Sequence, residues 1–94
     1  MSIGILTLHL LLPGCTSLKE KRSRIKPALA RLHREFNVSV AEVDRMDMWQ
    51  EAVFQCVMVS NDRDYTQKAL QSVVDFLSGH FPDLEILNDQ IELL

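Results

Sequence analysis

Basic side chains are concentrated in one short segment of the chain. Between Leu18 and Phe36 the sequence has seven Lys or Arg residues and two Glu residues, a local balance of +5 in a chain whose formal net charge is −3. A cationic surface on an otherwise acidic protein attracts phosphate or carboxylate groups locally. This segment is therefore the first candidate for a binding site.

The spacing of this segment predicts a helix. Ser17 and Glu20 stand three residues apart, as in a capping box, so the helix should begin at Leu18. Its apolar residues recur on one face, which we expect to lie on a core. They are Leu18, Ile25, Leu29, Leu32 and Phe36. Pro27 falls opposite that face, and we expect one bent helix with Pro27 toward solvent rather than two short helices.

Four side chains share one flank of this helix, at about 40–100° from Leu18, and we call them the basic stripe. They are Lys19, Arg22, Lys26 and His33. No carboxylate shares the flank, whereas Arg24 and Arg31 lie on the other side, each four residues from a Glu. The stripe is the candidate nucleic-acid-binding site. A solvated surface and an acidic protein partner remain alternatives, because a pI near 5.5 argues against a broad nucleic-acid footprint.

A hairpin after the second predicted strand carries a further candidate interaction residue, Trp49. A Trp near a turn stacks on a base or fills a partner's pocket; alternatively, it seals the end of a sheet with its N–H on a backbone carbonyl. Four carboxylates surround this hairpin: Glu42, Asp44, Asp47 and Glu51. With no accompanying His and no glycine at the turn of an EF-hand loop, they indicate a solvated acidic hairpin rather than a cation site.

The remaining reactive side chains form no catalytic pattern. Cys15 has no identifiable general base, Cys56 has the pattern of a small core residue, and the three His residues are isolated from one another. There is no phosphate loop, nucleophile elbow or metal-ligand spacing. We therefore expect a non-enzymatic protein with no catalytic residues, metal, cofactor or small-molecule substrate.

The sequence also predicts a cytoplasmic location. Two widely spaced Cys suit a reducing cytoplasm. The apolar run 3–12 lacks the basic residues that precede a secretory segment, and it is too short to span a membrane.

The predicted elements alternate as β-α-β-β-α-β in a single domain over residues 1–94. The strands are expected at 2–12, 38–44, 52–60 and 84–93. The second helix should begin after Asn61 or Asp62 and end at a left-handed Gly79. Its buried face should comprise Tyr65, Ala69, Leu70, Val73, Phe76 and Leu77. This order predicts an α+β, ferredoxin-like fold, a four-stranded antiparallel sheet with two helices on one face.

Two helices on one side leave the other side of the sheet open. The central strands, the first and third, are apolar at nearly every position, so we expect an exposed apolar surface there. Such a surface predicts a homodimer, with room for a small ligand at the seam as a further alternative.

Several blocks of the sequence resemble the YlxP-like family of small bacterial proteins. They are Pro13, the block 17–22 (SLKEKR), 36–43 (FNVSVAEV), Asp47, 49–50 (WQ), Ala52 and 59–62 (VSND). The resemblance implies a ferredoxin-like fold. Because family members are often encoded beside translation initiation factor two and ribosome-binding factor A, it also implies a ribosome-related role. The favoured hypothesis is therefore an accessory RNA- or ribosome-associated factor; the alternative is a homo-oligomeric or ligand-binding module that uses the open sheet face.

Overall fold

The computed structural model describes residues 1–94, and its elements follow the predicted order. Their bounds are β1 Ser2–Leu11, α1 Leu18–Glu35, β2 Ser39–Asp44, β3 Glu51–Ser60, α2 Arg63–His80 and β4 Glu85–Leu93. The four strands form one antiparallel sheet in the order β2-β3-β1-β4. The ferredoxin-like α+β prediction is confirmed, and the predicted strand limits are correct to within one residue.

The core lies between the sheet and the two helices. Every second residue of β1 and β3 is buried, and these buried rows face both helices. Gly4 illustrates the closeness of the packing, because a Cβ at this position would lie 2.5 Å from Cγ2 of Thr66 and 2.7 Å from Cδ1 of Leu70 on α2. The fully buried large side chains include Leu6, Leu8, Leu10, Phe54, Leu70 and Leu77.

Helix α1 is continuous through Pro27, as expected. Pro27 is exposed, so the missing backbone donor and the crowding by its ring fall on the solvent side. The buried residues of this helix are Lys21, Ile25, Ala28 and Leu32. Their centre lies about 50° from Leu18 on the helical wheel, so the buried face is rotated from the predicted one by half a residue step. Leu18 and Leu29 are only half-buried for this reason.

Two details predicted for α2 are wrong. Tyr65 is 60% exposed, and Thr66 is buried instead, because Tyr65 lies about 120° on the helical wheel from the centre of the buried residues of α2. Gly79 does not end the helix; it lies inside α2 with no left-handed backbone. The Phe81 N–H donates to the carbonyl of Leu77 and closes the last turn without a glycine. Neither helix is long and apolar enough to cross a membrane.

The open side of the sheet is mixed rather than uniformly apolar. At one end, the cross-strand pairs Ile3–Val59 and Ile5–Val57 form an apolar quartet. Toward the other end, Gln55 Nε2 donates to Thr7 Oγ1 at 3.3 Å, and His9 Nε2 lies 2.6 Å from Glu51 Oε1. No described element covers this face, as predicted. Its polar half was missed because a count of apolar residues along β1 and β3 gives too little weight to the alternation between the two faces.

Candidate nucleic-acid interface on the first helix

The basic stripe lies on α1 as the sequence predicted. Lys19, Arg22, Lys26 and His33 are all exposed. None of them has a carboxylate within 4 Å, whereas five other basic residues form ion pairs: Lys21, Arg24, Arg31, Arg34 and Arg45. Measured from the centre of the buried face, the stripe lies at about 90–150°, still on one flank. Its cationic groups are therefore free to meet anions from solution.

The opposite flank of α1 is neutralised and faces α2. Arg24 pairs with Glu20 at 3.0 Å and donates to the carbonyl of Pro13 at 2.8 Å. Arg31 pairs with Glu35 at 3.5 Å, and its guanidinium lies 5.1 Å from the centroid of the Phe76 ring on α2. Both i,i+4 pairs are those that the sequence predicted. Because this flank contacts α2, the basic stripe points away from α2, toward the side of α1 at edge strand β2.

Sequence reasoning missed the role of Lys21, which lies in the same block. Lys21 is 1% exposed; its Nζ pairs with Glu42 Oε2 at 2.8 Å and donates to the carbonyl of Arg45 at 2.7 Å. A buried ammonium requires such partners, since it has lost its water. The ion pair joins α1 to β2 and to the β2–β3 hairpin. Its partners lie more than 20 residues away, so the helical wheel of α1 gave no sign of them.

The hairpin next to Lys21 is held in a defined shape. Arg45 has a left-handed backbone (φ 61°), and Asp44 Oδ1 accepts its N–H at 2.8 Å. Further along, Gln50 Nε2 donates to the carbonyl of Cys15 at 3.4 Å and the Gln50 carbonyl accepts from Leu12 N–H at 2.8 Å, which ties the hairpin to the loop before α1. These contacts place the hairpin beside the N-terminal end of α1.

Trp49 is displayed by this hairpin rather than packed under it. Its side chain is 51% exposed and its indole N–H has no hydrogen-bond partner, so the alternative in which it seals the sheet through a carbonyl is not what the structure shows. Met46 and Met48 beside it are 57% and 40% exposed. The residues Asp47–Gln50 line a shallow open hollow of about 290 Å³. A half-exposed Trp beside flexible Met side chains is typical of a contact surface.

The acidic residues of the hairpin do not converge on a cation site. Glu42 points to the helix side and pairs with Lys21, while Glu51 lies on the open face with His9 and with Arg45, whose Nη1 is 3.4 Å away. No three His, Cys, Asp or Glu side chains come together in a geometry that holds a metal ion. Basic side chains of the protein therefore pair with both Glu42 and Glu51.

The two thiols are buried. Cys15 is fully buried, with its Sγ 3.4 Å from the carbonyl of Ser17. Burial raises the pKa of the Cys56 thiol to about 12, so this residue stays protonated and behaves as the small core side chain that the sequence predicted. His33 and His80 lie on exposed helix surfaces, and His9 pairs with Glu51. These groups are spread over separate surfaces.

Comparison with known proteins gives the family. The model of the family described as "Protein of unknown function (DUF503)" matches residues 3–91. "Uncharacterized protein YlxP" of Bacillus subtilis (strain 168) is 39% identical over 83 residues, which cover 88% of this chain and 89% of that protein.

Comparison with solved structures supports the fold alone. The de novo designed protein Foldit4 matches with a TM-score of 0.54 at 12% identity, covering 100% of this chain and 97% of the designed one. A mutant of SnoaB, a cofactor-independent oxygenase from Streptomyces nogalater, reaches a TM-score of 0.49 at 13% identity over 99% of this chain and 90% of its own, too low to support any argument about activity. The matches in sequence over most of the length are decisive: the chain belongs to the DUF503 family, together with YlxP.

Proposed function

We propose that the protein is a non-enzymatic, cytoplasmic RNA-binding factor that contacts phosphates through the basic stripe on α1. One observation carries the proposal: three of the five Lys and Arg residues without a carboxylate partner lie together on one exposed flank, while the rest of the same helix is neutralised. Random placement of surface charge does not explain why the unpaired cations lie together on one flank. Phosphate binding explains it, because each unpaired cation replaces a counterion on the nucleic acid.

The position of the stripe on the helix favours anions further. Lys19 stands in the first turn of α1, where the helix dipole is positive and backbone N–H groups lack intrahelical partners, and Arg22 begins the second turn. The Ser17 side chain accepts only the Glu20 N–H, at 3.0 Å. The stripe extends over 15 residues from Lys19 to His33, and the two ends lie about 21 Å apart along the helix axis. It therefore reaches three or four phosphates and should bind weakly.

The family resemblance supports a ribosomal setting for this RNA. Relatives that resemble this chain in the SLKEKR block are often encoded beside translation initiation factor two and ribosome-binding factor A. Three of the four stripe residues lie in or just after that block. A weak phosphate contact suits an accessory factor that acts on a ribosomal particle present at high concentration.

The hairpin supplies a second contact for the same RNA. Trp49 is the only Trp of the chain and is half-exposed. Its hairpin lies beside the N-terminal end of α1, where Lys19 and Arg22 begin the basic stripe. Base–aromatic stacking is worth about 1–3 kcal/mol per base and tolerates any sequence. We therefore propose single-stranded or looped RNA rather than a regular duplex as the ligand.

Titration of ribosomal RNA fragments across a salt series tests the proposal. Three or four phosphate contacts predict a log–log slope of about −2 to −3 on single strands. The triple variant Lys19→Glu/Arg22→Glu/Lys26→Glu should lose binding, and Trp49 fluorescence should be quenched by RNA in the wild type only. Equal affinity of wild type and triple variant would exclude the stripe as the site, and no binding by the wild type at low salt would exclude direct RNA contact.

A further inference from the structure

The open face of the sheet has the composition of an interface. Its central rows, from β1 and β3, combine the apolar quartet Ile3, Ile5, Val57 and Val59 at one end with polar side chains at the other. Val59 is 59% exposed, and the other three are half-buried. Four β-branched side chains in two cross-strand pairs form a continuous apolar surface, which soluble monomers rarely leave uncovered.

The polar side chains that the two central strands place on this face are already paired within it. Gln55 donates to Thr7, while Glu51 accepts from both His9 and Arg45, at 2.6 and 3.4 Å. A polar group that is paired before docking loses less on leaving water than an unpaired one. A partner can therefore cover these side chains of the central strands without leaving them unpaired.

The size of the face matches one half of a standard interface. Four strands spaced about 4.8 Å apart and up to ten residues long at about 3.4 Å per residue give a projected area on the order of 600 Å². The accessible area of its side chains is somewhat larger, close to the roughly 800 Å² that each partner buries in a standard complex. A partner that presents a flat, twisted surface of the same kind covers it best.

We propose that this partner is a second copy of the chain, with the two sheets packed face to face about a two-fold axis parallel to the strands. In this arrangement β1 of one copy lies over β3 of its partner, since these strands are neighbours at the centre of the sheet. Ile5 then packs against the partner's Val57, and the apolar quartets cover each other.

The charges at the edges are compatible with this arrangement. The open-face residue of β4 opposite Ile5 is Glu92, and that of β2 opposite Val57 is Ser39. The two-fold axis brings β4 over β2 of the partner, so Glu92 meets a serine rather than its own copy. Aligned sheets cross at about −30°, which the natural twist of each sheet provides.

Basic stripe and open face lie on opposite sides of the sheet, so dimerisation leaves RNA binding unobstructed. Two stripes then point outward from the dimer in symmetric positions. Each can engage a separate stretch of the same RNA, which raises affinity through effective concentration. The dimer does not depend on the RNA proposal, because none of its contacts involves α1.

Sedimentation of purified wild type, free of RNA, should give the mass of a dimer at micromolar concentration. Ile5→Lys and Val57→Glu should each raise the dissociation constant by at least about 100-fold, because the two-fold axis buries each new charge twice. Tyr65→Lys is the control, since Tyr65 is an exposed aromatic residue on α2, away from the open face, and it should leave the dimer intact.

Mixing the two disruptive variants tests the proposed arrangement itself. Ile5→Lys in one copy would face Val57→Glu in its partner, so the mixture should form heterodimers although each variant alone is monomeric. A thermal melt of each variant confirms that the fold is kept. A monomeric wild type at 100-fold higher concentration, unchanged dimerisation of Ile5→Lys, or a mixture that stays monomeric would each overturn the proposal.

Discussion

Removing one member of the Lys21–Glu42 ion pair should destabilise the protein far more than removing any exposed charge of α1. The Lys21 side chain is 2% exposed and that of Glu42 17%. Loss of one partner from a buried pair typically costs about 3–5 kcal/mol, because the other is left uncompensated. In Lys21→Met, water reaches Glu42 in part and the Arg45 carbonyl keeps its bond from Met48 N–H, so we expect the lower value, about 3 kcal/mol.

The pair should also be strongly coupled. Glu42→Leu strands the ammonium of Lys21 and should cost about as much as Lys21→Met. The double variant Lys21→Met/Glu42→Leu places two apolar side chains in contact, and such replacements are often nearly neutral. We expect it to cost no more than about 3 kcal/mol, well short of the roughly 6 kcal/mol that independent effects would give.

Urea unfolding of the four proteins measures these differences. With a slope of about 1.5 kcal/mol per molar for a chain of this size, a cost of 3 kcal/mol lowers the midpoint by about 2 M. Lys19→Met, which removes an exposed and unpaired charge, serves as the control and should change stability by less than about 0.5 kcal/mol. Additive costs of the two single variants, or a Lys21→Met variant as stable as the control, would refute the role assigned to this pair.

Two further predictions concern backbone and thiol. Gly79→Ala should stabilise the protein by about 0.5–1 kcal/mol, because a Cβ there meets no atom within 4 Å and the backbone is helical. Gly14→Ala should destabilise the protein, because Gly14 has a φ of +70°. Thermal melts that rank the two variants in the opposite order would contradict this. Burial raises the pKa of the Cys56 thiol from 9.0 to about 12, so the unfolded chain releases this proton at a lower pH than the folded protein does. The free energy of unfolding should therefore fall as the pH rises from about 9 to 12. A Cys56→Ala variant that shows the same decline would contradict the role of this thiol.

The fold was predictable because local signals and topology agree. The capping pair Ser17 and Glu20, the alternation in β1 and β3, and the cap at Asp62 each specify an element on their own, and the β-α-β-β-α-β order then leaves few arrangements. Pro27 was correctly kept in the helix because its position on the wheel is opposite the buried face. Gly79 was misread because a glycine near a helix end has no side chain to show which conformation it adopts.

The candidate site was only partly predictable. The four residues of the basic stripe can be identified from the sequence alone, because their spacing places them on one flank of a helix. The burial of Lys21 depends instead on Glu42 and the Arg45 carbonyl, contacts across more than 20 residues that no local pattern encodes. The exposure of Trp49 likewise depends on how these contacts and Gln50 hold the hairpin, so the sequence could name the residue but not its surroundings.

We propose that RNA binding depends on the position of the cations rather than on their number, and two variants of equal charge test this. Lys19→Glu/Lys26→Glu and Arg63→Glu/Lys68→Glu each replace two unpaired cations and take the formal net charge from −3 to −7, the first pair on the basic stripe and the second on α2. In parallel RNA titrations at one low salt concentration, the stripe variant should lose at least about ten-fold in affinity and the α2 variant less than three-fold. Equal losses in the two variants would show that overall charge, and not the stripe on α1, governs binding.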